Sequence, residues 1–178
     1  EIYDYLKLLY ARIGTTIDPT TNEPVVKQTT SDVISFLKTK KKTQKIAILS
    51  PIKNIDINII KNYEKEGFKR VYIHNKFKLL SEYKPKKNES PYLVIDRIVC
   101  DFSEESNLGR FADSIDMAFE EGDGYCVLLN PDSNELKTFS KKFESNGTAF
   151  QEPNVHFFAF NNPFGACKTC EGYGQVLG

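Results

Sequence analysis

Apolar residues recur every three or four positions in four stretches of the chain, which is the spacing of an amphipathic helix. The stretch around residue 112 is the longest, and its apolar positions form one continuous stripe. This spacing predicts helices over residues 2–13, 31–38, 56–66 and 106–121. Thr30 and Asp56 should cap the second and third helices, and Gly67 followed by Phe68 should close the third in a Schellman-type ending.

Short apolar runs lie between these helices and are bounded by turn-forming residues, so they predict strands. The predicted strands cover residues 45–51, 70–74, 77–80, 92–100 and 125–130, with a hairpin partner at 135–143. The segment 147–163 is expected to be loop-like. Strands and helices in this order predict an α/β (α+β) fold, in which a mixed sheet carries helices mainly on one face and irregular stubs lie at both ends.

The first predicted helix has no core of its own, because a segment of low periodicity with Pro19 and Pro24 follows it. We therefore interpret the helix as the edge of a body outside this chain. The chain starts at Glu1 and has its one methionine at Met117. We interpret it as a piece of a larger protein, and a processed natural N terminus is the alternative.

Composition narrows the classes of function. The 178 residues carry 24 Lys and Arg and 24 Asp and Glu, so the formal net charge is zero. A free-standing, nonspecific nucleic-acid binder is normally basic, and this balance argues against that class. No apolar run approaches the roughly 18–20 residues of a membrane span. A lysine-rich chain with four cysteines fits a reducing cytoplasm.

Cys167 and Cys170 form a CxxC motif, in which two thiolates can bind one zinc ion. A structural zinc site needs four ligands, and His156 is a candidate third ligand, with His74 a weaker fourth. A redox role of the thioredoxin type is disfavoured, because neighbouring glycines oppose the helix that it needs. Cys100 and Cys126 are interpreted as buried, small apolar residues, since both lie in predicted strands.

No catalytic residue is predicted. Phosphate-binding loops, nucleophile elbows and metalloprotease motifs are absent from the sequence, and Asp96 beside Arg97 is interpreted as a structural pair. Lys40, Lys41, Lys42 and Lys45 could form a phosphate-binding patch. A solvated loop before a strand is the favoured interpretation, because no aromatic residue is interleaved with the lysines.

The C-terminal sequence FAFNNPFGACKTCEGYG (Phe158–Gly174) resembles a characteristic stretch of the UvrA family of excinuclease proteins. The N-terminal EIYDYLKLLYARIG resembles the family segment just after the first Q-loop. Five shorter segments between them fall in the family's order: QTTSDVISFL, LSPI, KEGFKRVYI, VIDRIV and GRFADSIDMAF. The resemblance therefore covers essentially the whole chain.

This resemblance implies that the chain is part of an ABC-type ATPase that dimerises, finds DNA lesions and loads UvrB in nucleotide excision repair. It also implies a link to the SOS response and a cytoplasmic location. Residues 27–146 would be the UvrB-binding domain. Residues 1–26 would be a stub of the first ATP-binding domain, and 147–178 a return stub with a degenerate zinc-module CxxC. The ATP-binding motifs and the dimer contacts would lie outside the chain, so neither catalysis nor a cofactor is expected within it.

The family's partner-binding arginines fall on Arg70 and Arg97 by resemblance, and Lys69 and Lys76 are weaker neighbours. Both arginines lie in predicted strands, which would hold a guanidinium in a fixed orientation for bidentate pairing with acidic side chains of UvrB. The alternative is that they are ordinary solvated charges at strand edges.

One departure from the family concerns zinc. The family has an earlier CxxC roughly twenty residues before the FNNP stretch, and this chain has no cysteine there. Half of the ligands are therefore missing, and we predict no zinc. A zinc-dependent nucleic-acid-binding module centred on the C-terminal CxxC is kept as the alternative function.

Overall fold

The computed structural model describes residues 2–86 and 89–175. Its helices are α1 (Ile2–Ile13), α2 (Thr30–Lys38), α3 (Ile57–Lys65) and α4 (Glu105–Glu121). Its strands are β1 (Lys45–Pro51), β2 (Arg70–Ile73), β3 (Lys76–Leu79), β4 (Tyr92–Val99), β5 (Tyr125–Asn130), β6 (Glu135–Ser140), β7 (Glu144–Ser145) and β8 (Thr148–Ala149), and a 3₁₀ turn covers Leu80–Glu82. None of the helices in the described ranges combines the length and apolarity needed to cross a membrane.

The chain forms two compact units. Lys27–Lys142 makes up one, and the residues before and after this segment make up the other. The sequence placed the end of the central domain at residue 146, four residues later. The assignment of the terminal segments to an ATPase domain stays a prediction.

The central unit is built on a six-stranded sheet in the order β3-β2-β4-β1-β5-β6. Helix α3 connects β1 to β2, and β4 then returns between these two strands in the opposite direction. Each neighbouring pair is consequently antiparallel, unlike the mixed sheet that we expected. The predicted α/β class is confirmed.

Helices cover one face of this sheet, as predicted. One cluster packs α2 and α4 against β1, β4, β5 and β6, with Phe111, Ile115 and Phe119 at its centre. A second cluster packs α3 and the 3₁₀ turn against β2 and β4. The opposite face, which we call the open face, carries its own smaller apolar cluster: Ala47, Leu49, Tyr72, Val94, Val127 and Leu129.

Two predicted features of α3 are confirmed. The Asp56 carboxylate accepts a hydrogen bond from the Ile59 N–H and caps the first turn. At the other end, the N–H groups of Gly67 and Phe68 donate to the carbonyls of Glu64 and Tyr63. Gly67 has a φ of 96°, so the two bonds form a Schellman motif.

The predicted cap of α2 is wrong by one residue. Thr29, not Thr30, is the N-cap, and the helix begins at Thr30. Asp32 lies three residues after Thr29, and the two residues form a capping box. The Asp32 N–H donates to the Thr29 hydroxyl, and the Thr29 N–H donates to the Asp32 carboxylate. These bonds with Thr29 hold the pKa of Asp32 below its usual range.

Replacing Thr29 with alanine should lower the free energy of unfolding by about 1 kcal/mol, because the first turn of α2 loses its cap. Urea unfolding of the full chain measures this change. The control is Thr43→Ala, since Thr43 is exposed in a turn. Thr29→Ser, which retains the hydroxyl, should stay within a few tenths of a kcal/mol of the wild type. Equal losses for Thr29→Ala and Thr43→Ala would contradict the role of the cap.

The predicted hairpin strand 135–143 ends early, at Ser140. Ser140 pairs with Tyr125, the first residue of β5, so the partner strand is used up at that point. The loop expected at 147–163 also contains structure that the sequence analysis missed. Residues of β7 and β8 pair across Asn146 and Gly147, whose φ angles of 48° and 78° are those of a type I′ hairpin turn.

The apolar stripe predicted on α1 is exposed. Ile2, Tyr5 and Ile13 lie among the most exposed large apolar residues of the described chain. A different side of α1 packs within its own unit. Tyr3 contacts the Phe160 ring, and its hydroxyl donates to the Phe158 carbonyl. The interpretation of α1 as the edge of an outside body stays a prediction.

Candidate functional site

A β-bulge in β4 organises the candidate site. Ile48 of β1 pairs with Asp96, but its neighbour Leu49 pairs with Val94, so Ile95 is an extra residue in β4. An extra residue reverses the alternation of side chains beyond it. Ile98, two positions after Asp96, consequently joins the cluster under α4, and Arg97 is turned to the open face.

The Asp96 carboxylate ties the bulge to α4. It accepts hydrogen bonds from Nε and Nη2 of Arg110 at 2.8–3.1 Å and from Oγ of Ser114 at 3.1 Å. The Arg97 N–H also donates to Oδ1 of Asp96, at 2.7 Å. The interpretation of Asp96 and Arg97 as a structural pair is thus wrong for the side chains, since the ion pair of Asp96 is with Arg110.

Removing the Asp96 carboxylate should destabilise the bulge. We expect Asp96→Ala to lower the free energy of unfolding by about 1 to 2 kcal/mol, since several charge-assisted hydrogen bonds are lost from a partly solvated site. Urea unfolding measures the change. Asp113→Ala is the matched control on α4, because Asp113 is exposed. If the two variants unfold at the same urea concentration, the stabilising role of Asp96 is contradicted.

The two predicted partner-binding arginines lie on the same face of the sheet. Arg97 pairs in register with Ala47, and Arg70 precedes Tyr72 by two positions in β2; Ala47 and Tyr72 both belong to the open-face cluster. Arg97 is exposed and Arg70 half-buried. Within residues 2–86 and 89–175, neither guanidinium is paired with a carboxylate.

The predicted lysines are divided by the register. Lys76 pairs with Ile73, whose side chain lies in the cluster under α3, so Lys76 belongs to the helix side of β3. Lys69 is exposed just before β2. It lines the same cavity as the two arginines, and Lys76 is not among that cavity's lining residues.

This cavity opens where β2 and β4 diverge. The two strands pair at only two positions, Val71 with Leu93 and Tyr72 with Tyr92. Beyond these two pairs, a cavity of about 310 Å³ lies between the start of β2 and the bulge of β4. We call it the cationic cleft, and it is lined by Gly67, Phe68, Lys69, Arg70, Val94, Ile95, Asp96 and Arg97. Three of the four predicted cations thus meet in one place.

A second cavity on the other side of Arg97 was not found from the sequence. It has a volume of about 390 Å³, and we call it the apolar cavity. Its lining consists of Lys45, Ile46, Ala47, Phe77, Arg97, Ile98, Val99 and Pro131. The Arg97 guanidinium lies 6.0 Å from the centroid of the Phe77 ring, at the limit of a cation–π contact. Arg97 therefore borders both cavities.

The turn between β5 and β6 reaches over the open face. The Tyr72 hydroxyl in β2 donates to Oδ1 of Asn134, in the turn between β5 and β6, at 3.2 Å. Strands β4 and β1 lie between these two elements in the sheet. The Tyr72 side chain and this turn therefore meet over the open face, and Pro131 of the same turn lines the apolar cavity together with Phe77.

The CxxC motif lies in the other unit, with Cys167 exposed and Cys170 half-buried. Backbone N–H groups of Cys170 and Thr169 bond the Cys167 sulfur and lower its pKa to about 7. No three His, Cys, Asp or Glu side chains of the described ranges lie close enough together to hold a metal ion. Cys167 and Cys170 are the two cysteines of this unit, which is half of the four ligands that a structural zinc site needs.

The other motifs have structural surroundings. Cys100 and Cys126 are buried, and burial raises the pKa of both thiols. Lys40 lies over the Phe36 ring at 4.3 Å, and Lys42 is 3.4 Å from the Asp101 carboxylate. These contacts favour the interpretation of the lysine-rich segment as a loop anchored to the protein surface.

The central unit thus carries helices on one face of its sheet and, on the other face, two arginines that no carboxylate of the described residues pairs with. The model of the family described as "UvrA interaction domain" matches residues 28–132, and the chain belongs to this family. The matched segment contains both cavities and all four predicted cations.

Relatives confirm the resemblance to UvrA over nearly the whole chain. The chain is 34% identical to the UvrABC system protein A of Rickettsia bellii over 197 residues, covering 98% of this chain and 20% of the relative. It is 35% identical to the corresponding protein of Mycoplasmopsis pulmonis over 188 residues, which covers 99% of this chain and 20% of that relative. It is 32% identical to the corresponding protein of Thermus thermophilus over 186 residues, which covers 98% of this chain and 19% of that relative. The chain spans about a fifth of the length of these relatives.

Proposed function

We propose that this chain is a docking domain of a UvrA DNA-repair ATPase and that it recruits UvrB in nucleotide excision repair through the cationic cleft. The observation that carries the proposal is the arrangement of Arg70 and Arg97. Both guanidinium groups are mounted on strands of one sheet face, line one cavity and lack a carboxylate partner within the described residues.

Such guanidinium groups favour an acidic partner. Strands restrict the orientation of the side chains, so less conformational entropy is lost when a carboxylate binds bidentately. Positive charge on the rim also speeds encounter with an acidic surface. Lys69 adds to this field at the same cavity. Lys76 belongs to the helix side of β3, so its contribution in this proposal is limited to long-range attraction.

The remaining parts of the proposal concern the chain's surroundings. We propose that the chain itself does not catalyse ATP hydrolysis, and that dimerisation and contact with damaged DNA belong to the full-length protein. The cytoplasmic location and the link to the SOS response stay predictions, as does the absence of zinc.

Isothermal titration of the full chain with UvrB tests the proposal. We expect a 1:1 complex whose Kd rises steeply between 50 mM and 500 mM salt, because screening weakens pairing between exposed charges. The same titration with duplex DNA should give no binding. An absent UvrB complex would contradict the proposal, and DNA binding that depends on added zinc would support the alternative of a zinc-dependent nucleic-acid module.

A further inference from the structure

We propose that UvrB docks with an apolar side chain seated in the apolar cavity, and that acidic residues flank this side chain in the UvrB segment. This inference rests on the proposed function and deepens it. The cationic cleft explains attraction to an acidic partner, but it does not explain why an apolar cavity adjoins Arg97.

The lining of the cavity favours an apolar occupant. Ala47, Phe77, Val99 and Pro131 are among the residues that line it. Val99 is 45% exposed at the end of β4, and Phe77 is only half-buried. Covering these side chains removes apolar surface from water, which is the main favourable contribution to most protein association.

The charges around the cavity specify what must flank the occupant. Arg97 forms one part of the rim, and Lys45, which pairs with Val99 in register, forms another. Asp96, the residue before Arg97, is turned to the helix side and bonded to Arg110. No carboxylate lines the apolar cavity in the described part of the chain. Acidic residues beside the apolar side chain would therefore complement both cations.

This combination favours a protein segment over a nucleic-acid backbone. Phosphates would satisfy Lys45 and Arg97 but would leave the apolar lining uncovered. The core of a protein interface is apolar and its rim is polar, and side chains that fill well-packed, desolvated pockets near the centre contribute much of the binding energy. Arg97 and Val99 share a face because they are two positions apart, and the bulge in β4 turns both of them to the open face.

Substitution of Val99 separates the apolar contribution from the electrostatic one. In the full chain, Val99→Ser should weaken UvrB binding by at least tenfold and Val99→Thr by at least threefold. Neither variant should change the slope of log Kd against the logarithm of the salt concentration. Val99→Thr keeps the shape and strand propensity of valine, so it provides a folded variant if the serine variant fails to fold. Met117→Ser on α4 is the matched control, since Met117 is 44% exposed; it should bind like the wild type.

Arg97→Ala distinguishes the failure of this inference from the failure of the proposed function. We expect it to weaken binding and to reduce the salt slope. If Arg97→Ala behaves in this way while both Val99 variants bind like the wild type, the apolar anchor is wrong and the proposed function stands. If Arg70→Ala and Arg97→Ala both bind like the wild type, the proposed function is wrong and the anchor is rejected with it. A reduced salt slope for the Val99 variants would also overturn the anchor.

Discussion

Replacing both Arg70 and Arg97 with glutamate is expected to weaken UvrB binding by at least 100-fold, which corresponds to about 3 kcal/mol. Each substitution removes a charge-assisted pair and places a like charge opposite an acidic partner. Because neither guanidinium is needed to neutralise a carboxylate in the described chain, the reversals should leave folding intact. Titration calorimetry with UvrB measures the effect, and thermal unfolding checks the fold.

The matched control for this double reversal is Lys61→Glu with Lys65→Glu. It changes the net charge by the same amount on α3, where both lysines are exposed. We expect the control to weaken binding by less than fivefold, since its charges act only over a distance and through salt. Equal losses for the two double variants would mean that net charge, and not the open face, determines binding.

Phe111→Ala is expected to lower the free energy of unfolding by about 3 to 5 kcal/mol. Phe111 is only 2% exposed at the centre of the cluster between α4 and the sheet. Its ring packs edge-on against Phe102, with centroids 5.3 Å apart. The substitution leaves a cavity between the helix and the sheet, and these elements relax only partly into it. Packing contacts are therefore lost in addition to the burial of apolar surface.

Urea unfolding of the full chain measures this loss. Phe111→Leu retains most of the apolar volume and should cost much less than the alanine variant. Phe164→Ala is the control for removing a phenyl group from a largely exposed position, and it should change stability by less than about 0.5 kcal/mol. A loss below about 1 kcal/mol for Phe111→Ala would contradict the packing of α4 described here.

Much of the fold follows from local patterns in the sequence. The amphipathic stripe of α4, the cap at Asp56 and the ending at Gly67 each depend on residues within one or two helical turns. The bounds of β1 and β5 match the prediction because each is a short apolar run between turn-forming residues. The cap of α2 was misplaced because Thr29 and Thr30 are adjacent, and only the position of Asp32 distinguishes them.

The sequence indicated which residues form the candidate site, but not which face of the sheet each of them lies on. The sequence YLVIDRIV (Tyr92–Val99) has the pattern of an uninterrupted strand, and simple alternation would place Arg97 on the same face as Leu93, under the helices. The bulge at Ile95 depends on the pairing with β1, which is distant in sequence. The same limit applies to Lys76, whose face depends on its partner Ile73, and to the apolar cavity, which involves separate segments of the chain.

Amide hydrogen exchange of the full chain, measured with and without UvrB, tests the central claim most directly. Binding should slow exchange in the backbone of the open-face elements around the two cavities, at residues 69–79 and 94–99, while α2 and α4 keep the rates of the free chain. Protection confined to α2 and α4, or to the terminal segments, would contradict a docking site on the open face.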